Sequence, residues 1–201
     1  MAIGDPYILL EELKDYMKMT GSSQDDDKLQ NAMQDASVGI NGFCNRQFNR
    51  TTTASLRKYD LTASGIAVVD DFWTTDELVV SLDGSTLTED SDYELRPLNG
   101  VVDGEPGWPY WRIKLLGFRS NIQRYCNSGA RLQVTAQWGW ASVPAPVKQA
   151  CFIMAAETFQ LKDAPLGVAG ADAFGTVMRV RNNPMASNKL ARYVRDKVLV
   201  G

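Results

Sequence analysis

The fold is decided by residues 138–161, which read WGWASVPAPVKQACFIMAAETFQL. The residues before them alternate between apolar and polar side chains up to Trp138, which is typical of a strand with one buried face, and Gly139 is expected to end that strand. Ser142 is expected to cap a helix that begins near Pro144, because proline suits a first helical turn, whose N–H groups have no partner within the helix. Apolar side chains then lie almost all round this helix, so we expect it to be the buried central helix.

The composition is that of an ordinary globular protein. The 201 residues include 44% hydrophobic and 22% charged side chains and carry a net charge of -3, which gives no bulk attraction to nucleic acid or membrane. No apolar run approaches the ~20 residues needed to cross a bilayer, and the first residues lack the basic and apolar regions of a signal peptide. We therefore expect a protein made and kept in a cytoplasm, with no membrane partner.

The chain contains no histidine. This excludes Ser-His-Asp and Cys-His catalysis, as well as metal sites that depend on histidine ligands. The three cysteines, Cys44, Cys126 and Cys151, are odd in number and far apart, so neither a disulfide framework nor a zinc site is predicted.

Carboxylates are the remaining candidates for chemistry. The run Asp25–Asp27 can be interpreted as a cation site or as a helix cap, and consecutive carboxylates that diverge favour the cap. An enzyme would have to use pairs such as Asp70-Asp71 or Asp90–Asp92, but adjacent acids in turns are mostly solvated. We therefore predict no catalytic residue, no metal site and no cofactor.

Two helices are predicted before residue 50. The first includes Ile8 to Met17 and should end at Gly21, and the second runs from Asp26 to Cys44. Gly39 and Gly42 lower the helix propensity of the second, which indicates tertiary support or the close approach of another helix.

From Arg50 onward the sequence changes to short strand-like runs separated by turns. The candidate strands are 55–61, 66–69, 78–82, 93–95, 111–116 and 131–138. Asp83-Gly84 predicts a hairpin between Leu78 and Thr88, because such a turn needs positive φ. The predicted fold class is α+β: a small helical bundle around the buried central helix, with an inserted β-rich lobe. We expect one domain over 1–201, with the helical part at 1–50 and 142–201 and the lobe at 51–141.

The C-terminal part begins with a Gly- and Pro-rich stretch at 164–175, which is expected to be a flexible loop or arm that becomes ordered on meeting a partner. A short strand is predicted near 177–181. Ser187 or Asn188 is expected to cap a last helix, whose apolar stripe is Leu190, Val194 and Val198.

Basic residues outnumber acidic ones six to one from Arg179 to the end. Such a surface is either a solvated helix end or a docking site for an acidic partner or for DNA passing nearby. The candidate interface residues are Arg179, Arg181, Lys189, Arg192, Arg195 and Lys197.

Aromatic residues flank the Gly- and Pro-rich loop at 103–109, and Trp108 and Trp111 complete the candidate interface set. Together with Arg112 and Lys114 they permit an alternative function, a nucleic-acid or small-ligand binding domain that uses the loop Trp108–Trp111. Packing within a sheet or a protein interface is the competing interpretation, since no broader basic stripe lies nearby.

Several of these motifs, in this order, resemble the head-tail connector (adaptor) family of tailed bacteriophages. The resemblance includes the segments Tyr7–Lys14, Asp26–Phe48 with its Cys-x-Arg-x-Phe ending, Trp138-Gly-Trp140, the helix from Pro144 and the loop 163–170. The chain departs from the family pattern at Leu9, where a Ser or Thr cap is usual, and residues 188–201 match only loosely.

The resemblance implies a non-enzymatic virion protein that forms a ring, dodecameric in the virion, below the portal. Such a ring joins the DNA-filled head to a stopper or tail completion protein and lines a channel for double-stranded DNA, without sequence recognition. It implies a place in the virion neck after assembly in the host cytoplasm. We expect the basic tail and the Gly-rich loop to contribute to docking on the portal protein.

Overall fold

The computed structural model describes residues 2–62, 64–116, 131–160 and 183–195, and these divide into two compact units. The first unit contains residues 3–48, 143–160 and 183–195, and the second contains 49–62, 64–116 and 131–142. The first is helical and the second contains two antiparallel sheets, so the predicted α+β class is confirmed. The expectation of a single domain stays a prediction.

Four helices form the helical unit, and α2 has the predicted bounds. The helices are α1 (Leu10–Tyr16), α2 (Asp26–Cys44), α3 (Ala145–Gln160) and α4 (Pro184–Leu190), which a 3₁₀ turn at Ala191–Tyr193 extends. α1 ends at Tyr16 rather than near Gly21, because Lys18 takes a positive φ of 58° and turns the chain. Leu9 occupies the N-cap of α1, where Glu12 Oε2 accepts a hydrogen bond from Leu9 N at 2.8 Å.

α3 is the buried central helix, as predicted. It packs against α1, α2 and α4, and its side chains Val147, Ala150, Cys151 and Ala155 are fully buried. A Cβ placed on Gly39 of α2 would lie 3.2 Å from Met154 Cε of α3, so the close helix crossing is confirmed there. The neighbouring glycine of α2 has no such contact with a described atom.

The predicted cap of α3 is wrong. The helix begins at Ala145, and the Pro144 carbonyl accepts a hydrogen bond from Lys148 N at 3.0 Å. Pro144 therefore occupies the N-cap position, two residues after Ser142. Proline is tolerated here because its missing N–H would have had no helical partner.

The predicted start of the last helix is also wrong. α4 begins at Pro184, and Asn183 Oδ1 accepts hydrogen bonds from the backbone N–H groups of the second and third helical residues at 2.9 and 3.1 Å. Ser187 and Asn188 therefore lie inside the helix. The pair Asn183-Pro184 is the stronger start signal, because it combines a short side-chain acceptor with a proline at the first helical position.

Val194 does not continue the apolar stripe of that helix. The helical backbone ends with the 3₁₀ turn, Val194 is extended (φ -66°, ψ 132°) and its side chain is 41% exposed. Leu190 is buried, as predicted. Val198 lies outside the described residues, as do the Gly-rich stretch 164–175 and the strand predicted near 177–181.

Each of the six strand regions predicted between residues 55 and 138 overlaps a strand of the second unit. The strands are β1 (Ser55–Asp60), β2 (Ile66–Phe72), β3 (Val79–Leu82), β4 (Ser85–Thr86), β5 (Tyr93–Arg96), β6 (Tyr110–Leu115) and β7 (Arg131–Ala136). One sheet has the order β1-β7-β3-β4 and the other β2-β6-β5, all antiparallel. The predicted hairpin is confirmed, with Asp83 at φ 49° and Gly84 at φ 83° between β3 and β4.

Trp138 connects the two sheets. Its backbone bridges Phe72 of β2, and the two rings meet edge to face with centroids 6.1 Å apart. The indole is 1% exposed, and its Nε1 donates to Ser55 O at 2.9 Å in β1. Side chains from both sheets form one buried cluster around it, so the two sheets share a single core.

The backbone at Gly139 lies very close to that of Asn49 and Arg50. Gly139 N donates to Asp71 O at 2.6 Å, and Gly139 bridges Arg50. Its φ is +102°, and a Cβ at this position would lie 1.8 Å from Asn49 O. Only glycine fits, since both the backbone conformation and the space exclude a side chain.

We expect Gly139→Ala to destabilise the second unit by about 3 kcal/mol, because the added methyl group must displace the Asn49 carbonyl while the backbone stays strained. All five tryptophans belong to this unit, so urea unfolding followed by tryptophan fluorescence reports on it. Gly84→Ala is the matched control: its φ is also positive, but a Cβ there would meet no described atom within 4 Å, and we expect a loss of about 1 kcal/mol. Equal losses in the two variants would contradict the steric argument.

We expect Asn183→Ala to destabilise the helical unit by about 1 kcal/mol, since two N–H groups at the start of α4 lose their acceptor. Ser187→Ala, a change inside the same helix, should have almost no effect. Thermal unfolding followed by circular dichroism at a helical wavelength compares the two variants, and the opposite order would restore Ser187 as the cap.

Candidate interaction surfaces

The described part of the basic C-terminal segment presents two cations to solvent. Lys189 at the end of α4 and Arg192 in the 3₁₀ turn are exposed, and Arg195 is half-buried. Arg179, Arg181 and Lys197 belong to the parts of the chain that the structure does not describe. The geometry of the predicted basic surface is therefore defined at Lys189, Arg192 and Arg195.

The backbone of Arg195 is fixed at the C-terminal end of α2. Arg195 N donates to Cys44 O at 2.9 Å, and Asn45 Nδ2 donates to Arg195 O at 2.9 Å. Asn45 takes the left-handed conformation (φ 50°, ψ 38°) that commonly terminates a helix. This segment therefore satisfies a terminal carbonyl of α2 and places positive charge at the negative end of the helix dipole.

Three aromatic rings hold this end of the helical unit together. Phe48 lies edge-on to Tyr7, at a centroid distance of 5.8 Å, and edge-on to Tyr193, also at 5.8 Å. Tyr7 OH accepts a hydrogen bond from Phe48 N at 3.0 Å, and Tyr7 N donates to Ser37 Oγ at 3.0 Å. Burial raises the pKa of Tyr7 well above its usual range, so the phenol stays protonated and keeps its role in this cluster.

Trp108 belongs to the interior of the second unit. It is 7% exposed, and its ring lies 5.1 Å from that of Trp140 and 6.1 Å from that of Trp111. Trp140 Nε1 in turn donates to Asp71 Oδ2 at 3.0 Å. A ring covered in this way offers no open face for a nucleic-acid base, which weakens the alternative of a ligand site at Trp108–Trp111.

Trp111 is half-buried, and the cations near it are not gathered into a basic stripe. Arg112 is exposed, whereas Lys114 Nζ lies 4.0 Å from Glu94 Oε2, which also pairs with Arg96 at 2.6 Å. This part of the second unit therefore has mixed charge, which is ordinary for a solvated sheet surface.

The paired carboxylates do not converge on a common point. Asp70 and Asp71 are neighbours in β2 and point to opposite faces: Asp70 Oδ2 is bound by Arg57 at 2.6 Å and by Tyr59 OH at 2.8 Å, and Asp71 is buried against Trp140. Burial, together with the charge of Asp90, raises the pKa of Glu89, but Glu89 and Asp90 lie in a turn where Asp92 Oδ2 accepts from Thr88 N at 2.8 Å. Their geometry indicates structural roles.

Cys44 and Cys151 are buried thiols of the helical unit. Burial raises the pKa of Cys44 to about 12 and that of Cys151 to about 11, so both are protonated at neutral pH and are poor nucleophiles.

Within the ranges that the structure describes, no group of three or more Cys, Asp and Glu side chains is arranged to hold a metal ion. No described helix combines the length and apolarity required to span a bilayer.

Exposed apolar side chains on the helical unit are the surface feature that sequence reasoning missed. Tyr16, at the end of α1, is 49% exposed and stacks on Phe152 of α3 at 5.3 Å, and Phe43, near the end of α2, is 47% exposed. Both residues recur at helical spacing with the apolar residues of their helices, a pattern that is typical of a buried face. The sequence signal that could have identified them is the width of the apolar stripe on each helix, because neighbouring elements bury only part of a wide apolar face.

This protein has an α+β fold. Its first unit contains four helices built on a buried central helix, and its second unit contains two sheets that share one core. The same fold occurs in gene transfer agent (GTA) particles. A chain from the neck of an empty GTA particle, computed with C6 symmetry, is 18% identical with a TM-score of 0.55, over 97% of this chain and 93% of that chain. A chain from the virion of the native GTA particle is 17% identical with a TM-score of 0.53, over the same shares of the two chains.

At such identities the similarity shows a shared fold. The resemblance to head-tail connectors that the sequence predicted is confirmed at that level, since one matched chain comes from a particle neck. No protein-family model matches the sequence, and no curated protein matches it.

We expect Trp108→Ala to destabilise the second unit by about 4 kcal/mol, because it leaves a cavity beside Trp140 and Trp111. Trp111→Ala, at the half-buried neighbour, should cost less. Urea unfolding measures both variants, and retention on immobilised single-stranded DNA is recorded in parallel. A Trp108→Ala protein of unchanged stability that had lost such retention would instead support the aromatic binding site.

Proposed function

We propose that this protein is a structural, non-enzymatic virion protein: a head-tail adaptor that forms a ring below the portal. The observation that carries the proposal is the fold, which matches a chain from the neck of a gene transfer agent particle over nearly the whole length of both chains. The sequence motifs that resemble those of phage connectors support the same function.

The site chemistry supports an assembly role over catalysis. The carboxylates of Asp70, Asp71 and Asp92 are engaged in structural contacts, and the two described thiols are buried and protonated. Exposed aromatic and aliphatic side chains, in contrast, occur on several elements of the helical unit. Surfaces of this kind are typical of protein interfaces.

A ring is the assembly that we propose, dodecameric in the virion. The C6 symmetry with which the matched neck was computed supports a cyclic arrangement, and a dodecamer is compatible with it. The ring would join the DNA-filled head to a stopper or tail completion protein, and double-stranded DNA would pass through its channel without sequence recognition. We place the protein in the virion neck after assembly in the host cytoplasm, with the basic segment and the Gly-rich loop contributing to contact with the portal protein.

Native mass spectrometry and negative-stain imaging of the full chain, alone and mixed with the portal protein of the same particle, test this function. We expect either a free ring or a monomer that joins portal particles in a fixed number of copies. The reason is that an adaptor subunit must bind both the neighbouring copies in the ring and the portal protein. An unrelated acidic monomer of similar mass controls for adsorption to the portal. A chain that stays monomeric and does not bind portal particles would contradict the proposal.

A further inference from the structure

The helical unit carries opposite charges at the two ends of α2. Residues 11–28 contain six acidic and three basic residues, whereas residues 183–195 contain three basic residues and no acidic one. The overall net charge of -3 hides this separation. The structure shows where each group lies along the unit.

The acidic group gathers at the N-terminal end of α2. Lys14 Nζ of α1 is buried between Asp26 Oδ1, at 2.7 Å, and Glu11 Oε1, at 3.8 Å, which fixes the last turn of α1 beside the first turn of α2. The Glu11 and Asp15 side chains are exposed there. We call Glu11, Asp15 and Tyr16, with the first turn of α2, the acidic end.

The basic group gathers at the other end of the same helix. The hydrogen bond from Arg195 N to Cys44 O fixes the C-terminal segment at the last residue of α2. Because α2 has 19 residues, and a helix rises about 1.5 Å per residue, the two ends lie about 27 Å apart along its axis. We call Phe43, Lys189, Arg192, Val194 and Arg195 the basic end.

Each end also exposes apolar side chains among its charges. At the acidic end, half of Tyr16 is open to solvent above Phe152. At the basic end, Phe43 and Val194, both exposed, directly precede the two residues that the Arg195–Cys44 hydrogen bond joins. An apolar centre with a charged rim is the usual anatomy of a protein interface.

Local stabilisation of α2 explains only part of this pattern. Asp26, Asp27 and Arg195 complement the dipole of that helix, but Glu11 and Asp15 belong to another helix and face solvent. DNA binding would use the basic end and would leave the acidic end and the exposed Phe43 without a purpose. A second copy of this chain uses all of these features, since its acidic end matches the basic end in both charge and apolar character.

We propose that the acidic end of one copy docks on the basic end of the next, and that this head-to-tail contact is the subunit interface of the ring. Two like ends repel, so a two-fold contact that pairs identical ends is disfavoured. An antiparallel pair would use up both ends of each copy, whereas a head-to-tail contact leaves one acidic and one basic end open and is the heterologous kind that closes into rings. The inference rests on the proposed ring function and identifies the surfaces that would form the ring.

Charge reversal at either end tests the contact in the full-length chain. We expect Glu11→Lys with Asp15→Lys, and separately Lys189→Glu with Arg192→Glu, to lower the fraction of assembled copies by at least about tenfold, because like charges then face each other. Assembly is measured by native mass spectrometry, free in solution or on portal particles. Asp35→Lys, a change of an exposed acid midway along α2, is the control and should assemble as the wild type does.

Mixing the two reversed variants gives the sharper test. One variant then has two basic ends and the other has two acidic ends, so each fails alone while an equimolar mixture should form rings in which they alternate. A loss of folding would not be repaired by mixing, and circular dichroism checks that each variant is folded. Native mass spectrometry reads the alternation directly, as equal numbers of the two masses in each ring.

Two failures are distinguishable. A wild-type chain that neither forms rings nor joins portal particles contradicts the proposed function itself. If the wild type forms rings and both reversed variants form them equally well, the head-to-tail contact alone is overturned. The same holds if the two variants stay unassembled when mixed. Intact rings of the Lys189→Glu, Arg192→Glu variant that no longer retain DNA or no longer bind portal would assign the basic end to that partner instead.

Discussion

The close contact between Gly139 and the Asn49 carbonyl is the constraint on which the second unit depends. The chain enters this unit at Asn49 and leaves it just after Gly139, and the bridge between Arg50 and Gly139 brings entry and exit side by side. Because Gly139 lies too close to the Asn49 carbonyl for any Cβ, the paired entry and exit segments have little freedom to shift. Trp138, one residue earlier, is thereby held where its ring meets Phe72 and its indole N–H reaches Ser55 O, so one glycine fixes the residue that joins the two sheets.

The helical unit is closed differently, since aromatic rings join its ends in addition to the backbone hydrogen bond from Arg195 N to Cys44 O. Tyr7 precedes α1, Phe48 follows α2 and Tyr193 follows α4, so three distant parts of the chain meet in one edge-to-face cluster. Hydrogen bonds add direction to this packing: Tyr7 N binds Ser37 Oγ, which donates to the Met33 carbonyl inside α2. A polar side chain can be buried in the middle of a helix here because each of its hydrogen-bonding groups is satisfied.

Much of the fold followed from periodicity, because the pattern of buried faces is a local property of the sequence. The bounds of α2 and the strand leading to Trp138 were predicted for this reason, whereas the hairpin was predicted from the turn chemistry of Asp83-Gly84. The errors arose where a stronger local signal competed, as at Asn183-Pro184, or where the partner is distant in sequence. Nothing near Trp108 indicates that its ring will meet Trp140, so an aromatic residue in a loop was interpreted as accessible, whereas tertiary packing buries it. The exposed Tyr16 and Phe43 were missed for the converse reason, since periodicity identifies an apolar face but not how much of it another element covers.

The structural contacts of Asp70 and Asp71 and the protonated state of the two buried thiols direct attention to the surface of the molecule. For a protein that works by assembly, the informative quantity is how charge is distributed over the fold, and the net charge of -3 says nothing of this. The geometry supplies the distribution: Lys14 fixes the acids of α1 at one end of α2, and the Arg195–Cys44 hydrogen bond fixes the cations of the C-terminal segment at the other. A rigid helix separates the two groups, so they cannot neutralise each other within one chain, and association of such chains is directional. A polar subunit of this kind satisfies the physical requirement of a cyclic assembly, which is that each copy presents two different and complementary faces.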